Sequence, residues 1–101
     1  MSNIELTEVT LKMILDAGIL KPGTRLFAST HPNVNALLTG DGKINIDFDG
    51  QIRTFDFLSG AARSLTNLSL NGWKFWSVEI DNEWKEVSYL RELFIKAHTS
   101  F

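Results

Sequence analysis

The segment SGAARSLTNLSLNGWKFW, residues 59–76, decides the fold of this chain, because it joins a helix of small residues to a run of aromatic residues. Ser59 is a favourable N-cap, and Asn67 tolerates the left-handed backbone with which many helices end. Apolar residues recur here at steps of three and four, which predicts one buried helical face. The residues of that face are Ala61, Ala62, Leu65 and Leu68.

Aromatic residues follow the turn that Asn71-Gly72 predicts. A strand is predicted over residues 74–80, and the sequence WKFW, residues 73–76, overlaps its beginning. Because alternate side chains of a strand point to opposite faces, these rings cannot all be buried on one face. At least one large ring is therefore expected near the surface.

Upstream of this segment, polarity alternates over residues 34–39, 43–48 and 51–55. Gly40-Asp41-Gly42 and Asp49-Gly50 separate the three runs, and Asp-Gly between alternating runs is a strong hairpin signal. The pattern predicts an antiparallel meander with one covered face and one solvated face. The residues expected on the covered face of its middle strand are Ile44, Ile46 and Phe48.

Two further helices and a second hairpin complete the prediction. The first helix is expected to begin at a cap at Ser2 or Thr7 and to end at Gly18, and a closing helix is expected to begin at Ser88. The second hairpin joins residues 74–80 to residues 84–87. The chain is thus predicted to be α+β, a small single domain over residues 1–101 with an antiparallel β meander, hairpins and about three short helices.

Composition limits the classes of function. The chain has 101 residues, no cysteine and a formal net charge of -2. Domains that coat nucleic acid through bulk electrostatics are usually strongly basic, so any nucleic-acid contact is expected to use a local patch. No apolar run approaches the roughly 20 residues that span a bilayer, and a cytoplasmic location is expected, with no membrane partner.

The sequence offers little material for catalysis. His31 and His98 lack acidic neighbours at metal-ligand spacing, and Gly40-Asp41-Gly42 lacks the lysine of a phosphate-binding loop. The acidic string Asp47, Asp49 and Asp56 is interpreted as a solvated strand edge. No enzyme activity, catalytic residue, metal or cofactor is therefore expected.

Three stretches together resemble a known family. They are LDAGIL followed by KPGT at residues 15–24, the Asp-Gly hairpin, and the helix with paired alanines that leads to Asn-Gly-Trp and a further tryptophan at residues 59–76. Over residues 9–93 the chain is similar to the restriction-enzyme adenine-methylase-associated domain, RAMA. Two positions depart from that pattern, because Leu58 stands where proline is common and Asn67 where glycine is usual.

The resemblance implies a non-catalytic module of restriction-modification systems that binds DNA or senses its methylation. Side chains of suitable chemistry lie in the same segment, because hydroxyls, amides and cations contact phosphates and base edges. The candidate DNA-binding residues are Arg63, Ser64, Asn67, Ser69, Asn71, Trp73 and Lys74. Lys21, Arg25 and Arg53 would widen the basic patch if they lie beside this helix, and a tryptophan would supply an apolar wall for a methylated adenine.

An alternative function is protein interaction. An aromatic patch around Trp73 and Trp76 would suit docking to a larger restriction or modification subunit, because tryptophan is a favoured anchor of interfaces. A net negative charge does not oppose such docking. The two hypotheses differ in salt dependence, which is steep for binding to phosphates and weak for docking through apolar area.

Overall fold

The computed structural model describes residues 9–48 and 50–98, and within them the chain forms four helices and six strands. Their order is α1 (Leu11–Asp16), β1 (Arg25–Ala28), β2 (Asn35–Leu38), β3 (Ile44–Phe48), β4 (Gln51–Phe55), α2 (Leu58–Thr66), α3 (Gly72–Phe75), β5 (Trp76–Ile80), β6 (Glu83–Glu86) and α4 (Val87–His98). The predicted α+β class is confirmed, and the additional helix α3 is a single turn.

All six strands join one antiparallel sheet in the order β4-β3-β2-β1-β5-β6. The predicted meander is confirmed, because β3 pairs with β2 on one side and with β4 on the other. Phe48 pairs with Gln51 across a two-residue connection, in which Gly50 has a φ of +74°. That left-handed backbone is the conformation for which the Asp-Gly signal selects glycine.

One face of the sheet is covered and carries the core. Alternate residues of β1, β2, β3 and β5 point to this face and are buried, among them Leu26, Ala36, Ile44 and Trp76. α2 contacts β3 and β4, whereas α4 contacts β5 and β6, and α3 contacts both of these helices. The name helical side is used below for this covered side of the sheet.

The opposite face of the sheet carries no helix of the described chain, and we call it the open face. The strand registers place twelve residues on this face, on the other side of the sheet from the buried core residues. They are Arg25, Phe27, Asn35, Leu37, Asn45, Asp47, Ile52, Thr54, Ser77, Glu79, Trp84 and Glu86. The prediction that Phe48 is covered is wrong in part, because Phe48 lies on the covered side but is 42% exposed beside a cavity between β3, β4 and α2.

The first helix begins later than predicted, at Leu11. Thr10 caps it, since the Thr10 hydroxyl accepts from the Met13 N–H and the Met13 sulfur accepts from the Thr10 N–H. The predicted caps Ser2 and Thr7 lie outside the described residues. The predicted end is confirmed, because Gly18 has a φ of +77° and the Ile19 N–H donates to the Ile14 carbonyl at 3.2 Å.

In the second half of the chain, β5 and α4 begin at other residues than predicted. Residues 72–75 form α3 instead of the turn and the beginning of a strand, so β5 begins only at Trp76. α4 begins at Val87, which places Ser88 inside the first turn instead of at the cap. The Ser88 hydroxyl donates to a Glu86 carboxylate oxygen at 3.0 Å, so its hydrogen bond goes to a side chain of β6.

Candidate nucleic-acid interface

α2 begins at Leu58, one residue before Ser59, the side chain best suited to cap it. Phe57 is the N-cap, with extended backbone and no side-chain hydrogen bond, and Ser59 lies within the first turn. The predicted cap at Ser59 is therefore wrong, because the close packing of Leu58 determines where the helix starts. Leu58, Ala61 and Ala62 are buried, as the helical spacing predicts for the alanines.

The end of α2 agrees with the sequence. Asn67 has a φ of 58° and a ψ of 18°, which is the left-handed conformation, and its N–H donates to the Arg63 carbonyl at 2.8 Å. Leu68 follows the stop and is 59% exposed, so its predicted place on the buried face is wrong. The left-handed residue turns the chain away from the helix axis before Leu68 can complete the apolar stripe.

α3 packs against the start of α2 at backbone contact distance. A Cβ atom on Gly72 would lie 2.2 Å from both the Leu58 carbonyl carbon and the Ser59 nitrogen. The indole N–H of Trp76 donates to the Leu58 carbonyl at 3.0 Å, and the Asn71 side-chain oxygen accepts from the Trp73 N–H at 3.0 Å. These contacts hold α3 and the beginning of β5 against the start of α2.

Trp73 links α3 to α4. It is partly buried, and the Arg91 guanidinium carbon lies 4.5 Å from the centre of its indole ring. The Arg91 Nε atom is buried without a hydrogen-bond partner, and burial lowers the pKa of Arg91 below its ordinary value. The cation is thus held against the ring face, whose negative electrostatic potential attracts it. The Arg91 guanidinium thus covers one face of the Trp73 ring.

Next to Trp73 lies a cavity of about 540 Å³. Four parts of the chain surround it, namely the start of α1, the turn between β2 and β3, the connection from β4 to α2, and the Trp73 ring. We call it the Trp73 cavity, and its lining residues are Val9, Thr10, Leu11, Lys12, Asp41, Gly42, Lys43, Asp56, Phe57, Leu58, Ser59 and Trp73.

Ion pairs fix the charged groups around the Trp73 cavity. Lys43 Nζ lies 3.3 Å from an Asp56 oxygen, which connects the turn between β2 and β3 to the approach to α2. Lys12 Nζ lies 2.6 Å from an Asp16 oxygen within α1. The Thr39 hydroxyl donates to the Asp41 carboxylate and is the main reason why the pKa of Asp41 lies below its ordinary value. The cavity therefore combines the aromatic side chains of Trp73 and Phe57 with the carboxylates of Asp41 and Asp56.

The predicted DNA-binding residues are distributed along α2 and the segment that returns beside it. Arg63, Ser64, Asn67, Ser69, Asn71 and Lys74 are all exposed, whereas Trp73 is partly buried. Asn67 lies at the end of α2, whereas Gly72 of α3 packs against the first residues of α2. The length of this nine-residue helix therefore separates Asn67 from Gly72 by about 13 Å. Only Trp73 of the seven lines the Trp73 cavity.

Two of the three residues considered for a wider basic patch can be placed relative to the sheet. Arg53 lies on the helical side and shares with Ser64 a second cavity of about 240 Å³ between β4 and α2. Arg25 lies on the open face, so it does not extend a patch around α2. The strand register decides this difference, because neighbouring positions of one strand point to opposite faces.

The aromatic patch proposed for protein docking does not form as predicted. Trp76 is fully buried in the core, which leaves only part of Trp73 accessible at this surface. The exposed tryptophan is instead Trp84, half of whose surface is accessible on the open face. Of the rings of residues 73–76, at least one of which was predicted to lie near the surface, Trp73 and Phe75 are partly buried and Trp76 is buried, so none is fully exposed.

Several lining residues of the Trp73 cavity were missed by sequence reasoning. Lys12, Lys43, Asp56 and Phe57 come from three separate segments that only the tertiary fold brings together. Their sequence context carries no signal for this assembly, and the hairpin turn alone explains Lys43. Among the described residues, no three His, Asp or Glu side chains form a group that could hold a metal ion.

A comparison with protein families matches residues 2–100 of the chain to the Restriction Enzyme Adenine Methylase Associated family, RAMA. No curated protein sequence matches the chain. In the part of the chain that the structure describes, no helix has the length and apolarity needed to cross a membrane. The family match covers nearly the whole chain and includes α2, α3 and the Trp73 cavity, so this chain is a member of the RAMA family, whose members are associated with restriction enzymes and adenine methylases.

Proposed function

We propose that this RAMA domain is a non-catalytic DNA-binding module that presents α2 and α3 to the duplex and senses adenine methylation through the Trp73 cavity. The observation that carries the proposal is the cavity itself. Two of its lining residues, Ser59 and Trp73, belong to the segment on which the family resemblance is most specific. A protein that reads a flipped base needs a recess that accepts the base, beside a surface that holds the phosphates.

Side chains of α2, α3 and their connection supply the phosphate contacts. Arg63 and Lys74 are exposed cations, and Ser69 adds a hydroxyl. Asn71 uses its side-chain oxygen to cap α3, which leaves its amide N–H groups to donate to DNA. Arg53 and Ser64 both line the second cavity, where Arg53 is the group that can donate to a phosphate, because the Ser64 hydroxyl donates to the Ala61 carbonyl at 2.7 Å.

The distribution of charge supports this orientation despite the net charge of -2. Arg53, Arg63, Lys74 and Arg91 lie on the helical side, whereas Arg25 is the one cation among the twelve residues of the open face. Exposed charges beyond a Debye length of about 8 Å are largely screened at physiological salt, so the carboxylates of the open face oppose phosphate binding on the helical side only weakly. This distribution of charge supports an orientation in which the helical side faces DNA.

The Trp73 cavity suits a nucleobase. Its volume of about 540 Å³ falls within the range of roughly 300–1,000 Å³ that ligand pockets occupy. Trp73 and Phe57 offer aromatic and apolar surface to a base and its N6-methyl group, and the Asp56 or Asp41 carboxylate can accept the remaining N6 hydrogen. A base that enters the cavity must first leave the base stack, and binding must supply the free energy of unstacking and unpairing, as in base-flipping proteins.

The proposal is tested by titrating two labelled duplexes, identical except for one N6-methyl group on adenine, at two salt concentrations. We expect binding to weaken with salt, with a log-log slope of about -0.9 per phosphate contact, and the methylated duplex to bind more tightly. Trp73→Leu is expected to remove the preference for the methylated duplex and to retain the salt slope. Salt-independent or undetectable binding would overturn the whole proposal, whereas equal affinities for the two duplexes would overturn the methylation-sensing part.

Three variants that each remove one positive charge test the orientation. Arg63→Ala and Lys74→Ala are each expected to weaken duplex binding and to reduce the salt slope by about 0.9 if one phosphate contact is lost. Arg25→Ala removes the same charge from the open face and is expected to leave the slope unchanged. The orientation is wrong if Arg25→Ala weakens binding as much as Arg63→Ala does, with melting temperatures checked for all three variants.

A further inference from the structure

The open face carries an aromatic pair that no core contact explains. The rings of Phe27 on β1 and Trp84 on β6 lie 4.8 Å apart at an interplanar angle of 32°. They meet across β5, where the small Ser77 side chain leaves room between them. Trp84 remains 50% exposed, and Leu37 and Ile52 on the same face are 39% and 72% exposed. Trp84, Phe27 and Leu37 thus form an apolar strip on the solvent side of the sheet, and Ile52 lies apart from it, beyond Asn45 and Asp47 of β3.

Carboxylates adjoin this strip. Glu79 lies directly opposite Trp84 in the β5–β6 register, and Glu86 lies opposite Ser77. Asp47 occupies the same face on β3. The ion pairs of the described residues are Lys12–Asp16, Lys43–Asp56 and Lys85–Glu83, so none of them neutralises these three carboxylates. With Arg25 as its one cation, the open face has a formal charge of -2.

The charge of the open face restricts what can cover it. A nucleic acid or an anionic lipid surface would be repelled, and two copies of this face would bring like charges together. A cationic protein segment would be attracted to the carboxylates and would cover the apolar strip. The Trp84 ring is available for such a segment, because the cation–aromatic contacts in the described chain join Lys85 to Tyr89 and Arg91 to Trp73.

We propose that the open face docks an arginine- or lysine-rich segment of a partner protein. A guanidinium or ammonium group stacks on the free face of Trp84, while Glu79 and Glu86 accept its hydrogen bonds. Glu86 already accepts from the Ser88 hydroxyl at 3.0 Å and retains further lone pairs for a ligand. Phe27 and Leu37 pack against the aliphatic part of the segment.

This docking surface is independent of the proposed DNA site. The helical side and the open face are opposite faces of one sheet, so a partner on the open face leaves α2, α3 and the Trp73 cavity accessible. A protein partner could therefore hold the domain while its other side contacts DNA. The inference stands or falls on the open face alone and does not require that DNA be bound.

The probe for the test is a fluorescein-labelled peptide of alternating arginine and serine, titrated with the whole chain at low salt and followed by anisotropy. We expect binding that Glu79→Gln with Glu86→Gln weakens by at least about fivefold, and that Trp84→Ser weakens similarly. Asp16→Asn with Glu92→Gln removes the same number of charges from the helices and is expected to change the affinity by less than about twofold. The melting temperature of each variant confirms that it is folded.

The location of binding is read from the indole N–H resonances of the three tryptophans. The peptide is expected to shift the resonance of Trp84 and to leave those of Trp73 and Trp76 in place. Shifts confined to Trp73, equal effects of the two double variants, or no binding would overturn the proposal. Self-association in sedimentation that Trp84→Ser abolishes would also overturn it, because the occupant would then be a second copy.

Discussion

Gly72 shows at the residue scale how a single missing side chain sets the geometry of the candidate site. The backbone of α2 passes so close to Gly72 that a Cβ atom would overlap the peptide between Leu58 and Ser59. The contact places α3 beside the start of α2, and from there Trp73 reaches the cavity and Trp76 reaches the Leu58 carbonyl. The requirement is close approach, since a positive φ is not involved.

Gly72→Ala is therefore expected to destabilise the domain by about 3 kcal/mol or more, because backbone atoms cannot move aside as a flexible side chain would. Thermal unfolding should show a melting temperature lower by about 10 °C or more. Gly60→Ala is the matched control, since a Cβ there meets nothing within 4 Å on the exposed side of α2. It is expected to stabilise the helix by about 0.5–1 kcal/mol. Equal stability of the two variants would contradict the close approach.

Asn67 allows stability and binding to be separated at one position. Its φ of 58° favours glycine, so Asn67→Gly is expected to raise the unfolding free energy by about 0.5–1 kcal/mol. If the Asn67 amide contacts a phosphate, the same variant binds duplex DNA more weakly although it is more stable. Thermal melts and anisotropy titrations of one preparation measure both effects. Unchanged DNA affinity would remove Asn67 from the predicted interface.

At the scale of elements, the turns between strands were predictable and the helix starts were not. An Asp-Gly pair favours the positive φ angles of a tight hairpin turn, so the hairpin from β3 to β4 can be predicted from adjacent residues. α3 depends on the contact of Gly72 with Leu58, which lies in another element, and the sequence alone gave only a turn. Ser59 failed as a cap for the same reason, because tertiary packing overrode the local preference.

The turn between β2 and β3 is an element whose stability should depend on pH. The Thr39 hydroxyl donates to Asp41 and accepts from the Lys43 N–H, and the pKa of Asp41 is lowered chiefly by the Thr39 hydrogen bond. A lowered folded-state pKa means that this contribution is present above the pKa of the unfolded chain and is lost as pH falls through the folded value.

Asp41→Asn should therefore reduce stability near neutral pH and make little difference in strong acid. Denaturant unfolding of both proteins at a series of pH values measures this. The stability difference is expected to be constant well above the ordinary aspartate pKa of about 4 and to decrease as the pH is lowered below it. A difference that persists unchanged at about pH 2 would contradict the assigned role of the carboxylate.

For the whole molecule, the sheet separates two surfaces of different chemistry. The helical side carries most of the cations and the Trp73 cavity, and the open face carries carboxylates that take part in none of the ion pairs of the described residues, beside Phe27 and Trp84. From the sequence we could predict that Arg63, Ser64 and Asn67 lie on the outer face of α2. We could not predict the Trp73 cavity, because its lining residues come from segments that are far apart in the chain. The sequence also could not distinguish the core ring Trp76 from the surface ring Trp84, since burial depends on strand register.

The measurement that tests the central claim most directly is a titration of the isotope-labelled chain with a short duplex containing N6-methyladenine, followed by amide and indole N–H resonances. Each of the three indole groups reports on a different place, namely Trp73 on the cavity, Trp76 on the core and Trp84 on the open face. We predict shifts for Trp73 and for the amides of α2 and α3, with Trp84 unchanged. Shifts of Trp84 and the open face, with α2 and Trp73 unaffected, would contradict the account.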